Sequence, residues 1–131
     1  MARVDYRNIE RETLRNTDYR RVLHTVKGEM QLVIMCLNPG EDIPCERHAE
    51  GVQFIRVERG AGECIVGRAS YALTDGMSII IPPRKLHYVR NISETEPLKL
   101  YTIYTPPEHA TNKKQRRQKR RGGGGSLIRT I

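Results

Sequence analysis

The chain predicts an all-β domain, an antiparallel sandwich or jelly-roll barrel, and three observations carry that prediction. Apolar and β-branched residues gather into short runs rather than long ones. Turn chemistry at Asn38-Pro39-Gly40, Gly60-Ala61-Gly62, Gly67-Arg68 and Thr74-Asp75-Gly76 separates those runs at intervals of roughly 8–12 residues. No stretch between residues 19 and 105 sustains the 3.6-residue period of an amphipathic helix.

The elements follow in order. Residues 5–18 are polar, with Ile9 and Leu14 the only aliphatics, and an N-terminal arm or short helix is predicted over 1–18. Tyr19 to Val26 reads as a first strand and Met30 to Leu37 as a stronger one. Proline fixes φ and glycine accepts positive φ, so Asn38-Pro39-Gly40 turns the chain into a strand over Ile43–His48. Gly51 reverses it into Gln53–Glu58, and Glu63–Val66 and Ala69–Leu73 flank the Gly67-Arg68 turn. Ser78–Ile81 reads as a fully buried strand, stopped by Pro82-Pro83, whose nitrogens cannot donate ladder hydrogen bonds. His87–Asn91 and Leu98–Thr105 supply two more strands before Pro106-Pro107. The expected barrel domain spans residues 19–110.

A chain of 131 residues, 37% of it hydrophobic, suffices for one core but not two. No apolar run approaches the roughly 18 residues of a membrane helix, and the first residues lack a secretory profile. A soluble, cytoplasmic protein is expected. Cys36, Cys45 and Cys64 form no zinc-ribbon spacing and read as small core side chains, with Cys45 on the face opposite Glu46.

The formal charge of +8 is unevenly spread. Residues 1–110 hold fifteen Lys and Arg against fifteen Asp and Glu; the other eight basic residues, and no acid, lie in 111–131. Lys113 to Arg121 carries seven positive charges in nine positions, and Gly122–Gly125 offers no surface for a core. A disordered basic tail is predicted over 111–131. Such a tail suits import to the nucleus or contact with nucleic-acid phosphates through residues 113–121; without interleaved aromatics it does not suit base stacking.

Two donor patterns stand inside the strands. The first is Gly40-x5-Glu46-x-His48-x4-Gln53-x6-Gly60, the second Gly76-x5-Pro82-x-Arg84-x2-His87-x3-Asn91. Residues i and i+2 of a strand share a face about 7 Å apart, so Glu46 and His48 can converge. A turn returns the chain antiparallel with Gln53 beside that point, and His87 approaches from a neighbouring turn. Two imidazoles, a carboxylate and an amide oxygen make a mixed donor set for one divalent metal, zinc, iron, manganese or nickel. Glu46, His48 and His87 alone still give two histidines and a carboxylate, enough for an open site.

The joined patterns resemble the paired motifs of the cupin superfamily, over roughly residues 30–105. Gly40, His48 and Gly60 match the first motif; Gly76, Pro82, His87 and Asn91 match the second. Glu46 stands where a histidine is usual, Gln53 where a glutamate is usual, and Arg84 where a glycine is usual. The resemblance implies a double-stranded β-helix, a metal held by Glu46, His48, Gln53 and His87, and a homodimer. Small cupins similar to mannose-6-phosphate isomerase are nearest in character. They imply a sugar phosphate or similar small polar substrate. A metal-dependent dioxygenase and a non-catalytic ligand-binding module are the alternatives.

Arg84 is a candidate anion anchor at the pocket rim, against an ordinary solvated turn. Tyr88, Tyr101 and Tyr104 are candidate pocket hydroxyls, Tyr88 being named with Arg84 for substrate binding. His24 and His109 attract no hypothesis from the sequence.

Overall fold

A computed structural model of the chain describes residues 3–48 and 50–118. It contains one helix and ten strands: α1 (Ile9–Arg15), β1 (Arg20–Val26), β2 (Met30–Leu37), β3 (Asp42–Glu46), β4 (Val52–Arg59), β5 (Ala61–Val66), β6 (Ala69–Thr74), β7 (Ser78–Ile81), β8 (His87–Asn91), β9 (Leu98–Thr105) and β10 (Lys114–Gln115). All pairings are antiparallel. One sheet runs β10-β1-β2-β9-β4-β7 and the other β3-β8-β5-β6. The two pack face to face as the expected jelly-roll barrel.

The central strands explain their composition. β2 is buried on both faces from Val33 to Leu37. Val33, Met35 and Leu37 join Ile55, Val57, Leu98 and Leu100 inside, opposite Ile43, Cys64, Leu73 and Val89. The short helix packs on the outer side of the larger sheet. Its first turn is capped by Asn8, whose side chain accepts the Arg11 N–H. The buried Lys99 amine donates to the Leu14 carbonyl at 2.6 Å, near the helix end.

Three expectations need correction. β7 is an edge strand rather than a fully buried one: Ile81 faces the core, but Ile80 is 65% exposed. Its apolar run gave no sign that one face lacks a covering layer. β3 and β4 belong to different sheets, so the turn between them crosses the barrel and does not form a hairpin. Finally, residues 113–118 of the basic segment pack against the barrel. β10 pairs with the start of β1, Arg20 opposite Gln115. Arg117 meets the Glu41 carboxylate at 2.9 Å, and Gln118 accepts the Asp42 N–H and donates to its carboxylate. Charge repulsion within the run is offset by acidic partners in the loop before β3. The rest of the basic run, with the Gly-rich end, lies outside the described residues.

Candidate metal centre

Glu46 closes β3 and pairs in register with His87, which opens β8. Ile43, three residues before Glu46, faces the interior beside Val89. In a regular strand an odd separation would turn Glu46 outward. The ladder is irregular between Ile43 and Glu46, at Pro44, which has no N–H to donate. That irregularity re-aims Glu46 inward. Cys45 is sent the other way, to an outer groove with Ile65, Leu86 and Tyr88.

His48 lies beyond the strand rather than on it, so its convergence with Glu46 owes nothing to strand alternation. Its carbonyl accepts the Arg84 N–H at 2.8 Å, tying its loop to the one that precedes His87. Arg84 has φ 65°, the left-handed region that glycine fills most easily, and its side chain is exposed. Gly51 has φ 96°, and a Cβ there would strike the Thr105 carbonyl oxygen and Pro106 Cδ. Glycine therefore lets the His48 loop close against the end of β9.

The outcome is a cluster. Glu46, His48 and His87 each offer a ligand atom within 4.8 Å of one another. The imidazole centroids are 5.2 Å apart, and His48 Nε2 lies 3.8 Å from a Glu46 oxygen. His87 Nδ1 donates to the Lys85 carbonyl at 2.9 Å; a carbonyl only accepts, so the proton sits on Nδ1 and Nε2 keeps its lone pair. His48 Nδ1 lies 3.0 Å from the Glu108 carboxylate, which favours the same tautomer. Burial is the main cause that lowers the His87 pKa, with the nearby carboxylates and the Lys85 carbonyl opposing it. A neutral imidazole is the ligating form.

Gln53 reaches the interior from the facing sheet, in register with Tyr104 and Ile81. It is 2% exposed; its Nε2 donates to Thr102 Oγ1 at 3.1 Å, which leaves Oε1 without a partner. The Tyr104 ring stands 6.0 Å from that of His48 and 5.2 Å from that of His109. The hydroxyl of Tyr104 is buried and unpaired, and burial pushes its pKa well up. Burial, helped by the cations Arg20 and Lys113, pushes His109 down to about 3. Tyr88 does not join them: it alternates with His87 onto the outer face, where its hydroxyl donates to Asp42 at 2.6 Å. Tyr101 stands opposite Arg56 and packs near Phe54, away from the cluster.

Among the described residues six buried side-chain atoms have no hydrogen-bond partner: Arg20 Nε, His48 Nε2, Gln53 Oε1, His87 Nε2, Tyr104 Oη and His109 Nε2. Each such group costs about 1–3 kcal/mol when left unmatched. With the Glu46 carboxylate, three of these atoms, His48 Nε2, His87 Nε2 and Gln53 Oε1, make a set whose chemistry fits a metal: two imidazole lone pairs, one carboxylate and one amide oxygen.

The sequence offered no signal for Glu108 or His109. Their segment is held over the barrel mouth by Gln31, fully buried on β2. Gln31 Oε1 accepts the N–H of both residues, and its Nε2 donates to the His109 carbonyl at 2.7 Å. Partners almost eighty residues apart leave no local pattern.

Comparison with known proteins identifies the family. A cupin-domain family profile matches residues 33–104, and both donor patterns lie inside that span. Protein L612 of Acanthamoeba polyphaga mimivirus is 45% identical over 105 residues, covering 78% of this chain and 65% of that protein. YrkC of Bacillus subtilis is 40% identical over 108 residues, covering 78% of this chain and 57% of that one. The chain thus spans about three fifths of these two relatives. The crystal structure of BH2720 from Bacillus halodurans superposes with a TM-score of 0.83 at 38% identity, over 88% of this chain and 90% of that one. With the profile covering more than half of its length, this chain belongs to the cupin family.

Proposed function

We propose that Glu46, His48 and His87, with Gln53 Oε1 as a weaker fourth donor, hold one divalent transition metal (zinc, iron, manganese or nickel). The site would act on a sugar phosphate or a similar small polar substrate, in the manner of an isomerase. One observation carries the metal reading: both histidines have Nδ1 engaged, by Glu108 and by the Lys85 carbonyl, and both leave a buried Nε2 unpaired beside the Glu46 carboxylate.

When bound, the metal supplies Lewis-acid polarisation of a substrate carbonyl or hydroxyl. The chain supplies the rest. Glu108 holds the His48 ring, and the Lys85 carbonyl holds that of His87. Tyr104 keeps its proton at neutral pH because burial disfavours the phenolate, so it offers a hydrogen-bond donor to a substrate oxygen. The buried walls of β4 and β9 keep bulk water from that oxygen.

Elemental analysis of protein purified without added metal or a histidine tag tests the metal. About one equivalent is expected, falling at least tenfold in His48→Ala and His87→Ala. Less than about a tenth of an equivalent, with no uptake on titration, rejects the site. Turnover is then sought in the metal-loaded protein against a panel of sugar phosphates, with Glu46→Ala as the inactive control. Oxygen consumption with oxidisable small molecules instead would replace the isomerase by a dioxygenase. An active Glu46→Ala would remove this cluster from catalysis.

A further inference from the structure

The N-terminal arm ahead of α1 is built inside out. Asp5 and Arg7 are half-buried, with Arg7 Nε donating to the Asp5 carboxylate at 2.8 Å. Val4 and Tyr6 alternate with them, and they are 93% and 98% exposed. An extended segment lying on a protein ordinarily turns its apolar side chains inward and its charges outward. The arm is nevertheless tied down beside β1, where His24 Nε2 donates to the Arg3 carbonyl at 3.0 Å.

His24 stands opposite Leu32, and from Leu32 an apolar row crosses the outer face of the larger sheet. Leu32 faces Ile103 across the ladder, Ile103 faces Phe54, and Phe54 faces Ile80 at the edge. Each alternates with core residues of its own strand, so all four point outward. Met30 and Val52, two residues before Leu32 and Phe54, continue the same surface and are exposed. On the other half of this face the sheet is covered: there the Lys99 amine meets the end of α1, and Ile34 is buried. Among the described residues no element pairs with β7 beyond Ile80.

Charge favours a second copy as the missing cover. A two-fold contact sets a patch against itself, so a charged patch would meet its like. The row from Leu32 to Ile80 contains no charged side chain, and residues 1–110 balance fifteen basic against fifteen acidic residues. Four strands make the row about 14 Å across. The arm adds Val4 and Tyr6 to it, toward the roughly 800 Å2 per partner of a specific interface.

We propose that a second copy of this chain docks on the uncovered half of the larger sheet. The apolar row from Leu32 to Ile80 packs against its counterpart, and Val4 and Tyr6 of each arm are buried on the partner. Tyr6 and Phe54 are the aromatic anchors of the contact, the kind of side chain that dominates such interfaces. The metal cluster lies on the opposite, inner side of the sheet, so this surface stands independently of the function proposed above.

Sedimentation equilibrium of the full chain across a dilution series is the test. A reversible dimer of two 15.1 kDa chains is expected. Ile80→Arg, on the face, and Tyr6→Asp, on the arm, should each raise its dissociation constant by about tenfold or more, as a charge buried in an apolar contact does. Both side chains lie on the surface, and Tyr6 lies outside the strands, so the arm variant still decides the matter if the face variant fails to fold. Tyr71→Glu, on the exposed β6 of the other sheet, should leave the dissociation constant unchanged. A chain monomeric throughout, its face left to its own C-terminal residues or to another protein, overturns the proposal. So does a dimer that both variants leave intact, or one that Tyr71→Glu weakens as much as they do.

Discussion

Asn91 and His87 occupy the two ends of β8, on the same face and both buried, yet they are provisioned in opposite ways. Asn91 donates to the Leu37 carbonyl at 2.9 Å and to the Glu96 carbonyl at 2.8 Å, and accepts the Ser93 N–H at 2.8 Å. Its hydrogen-bonding capacity is spent inside the chain. His87 spends one nitrogen on Lys85 and leaves the other free. The glutamines repeat the contrast. Gln31 has both ends engaged, whereas Gln53 leaves Oε1 open. A buried polar side chain serves structure when all its groups are matched. It serves a ligand when one bond fixes its orientation and another group is left over.

Substitutions at the two ends of β8 should therefore fail in different assays. The largest effect is expected from His87→Ala, which should lower metal affinity about a hundredfold or more. Its metal-free unfolding free energy should change less than that of Asn91→Ala. Asn91→Ala removes the side-chain partner of two carbonyls, that of Leu37 buried, and of the Ser93 N–H, and should cost about 2–3 kcal/mol, read by urea unfolding. Its metal uptake should match the wild type at temperatures where it is folded. If both variants lose stability and metal alike, the contrast between the two ends of the strand is void.

Glu108→Gln probes the intermediate case of a side chain that acts through another. It should weaken metal binding by about tenfold, the usual loss when a histidine ligand's outer partner is changed, with little effect on unfolding. Metal affinity equal to the wild type would mean that Glu108 does not orient His48.

A further contrast lies in the pH dependence of the metal-free protein. His109 is pushed down to about 3 from an unfolded value near 6.5, so between those values the unfolded chain binds more protons than the folded one. Stability then rises with pH across that window and falls as the solution is acidified through it. His87, also lowered by burial, acts in the same direction. His109→Gln should flatten the slope of thermal midpoint against pH below 6.5, and an unchanged slope would place the proton uptake elsewhere.

The strand pattern was legible because period-two burial and turn chemistry act over a few residues. β7, β8 and β9 fall on the residues their composition marks. Ile80 was misread because an isoleucine run records β preference but not whether a neighbouring layer covers its outer side. Glu46 and His48 were correctly grouped on the wrong local geometry: an irregular ladder at Pro44 and a loop bring them together, not one regular strand.

The sequence by itself determined an all-β barrel and singled out the side chains that meet in it, Glu46, His48 and His87 above all, because spacing along a strand and glycine at turns are local constraints. Only the tertiary structure decided which nitrogen of each histidine is free. It also brought Glu108 and His109 to the barrel mouth. Those relations join segments tens of residues apart, through hydrogen bonds and charges that exist only once the two sheets have closed.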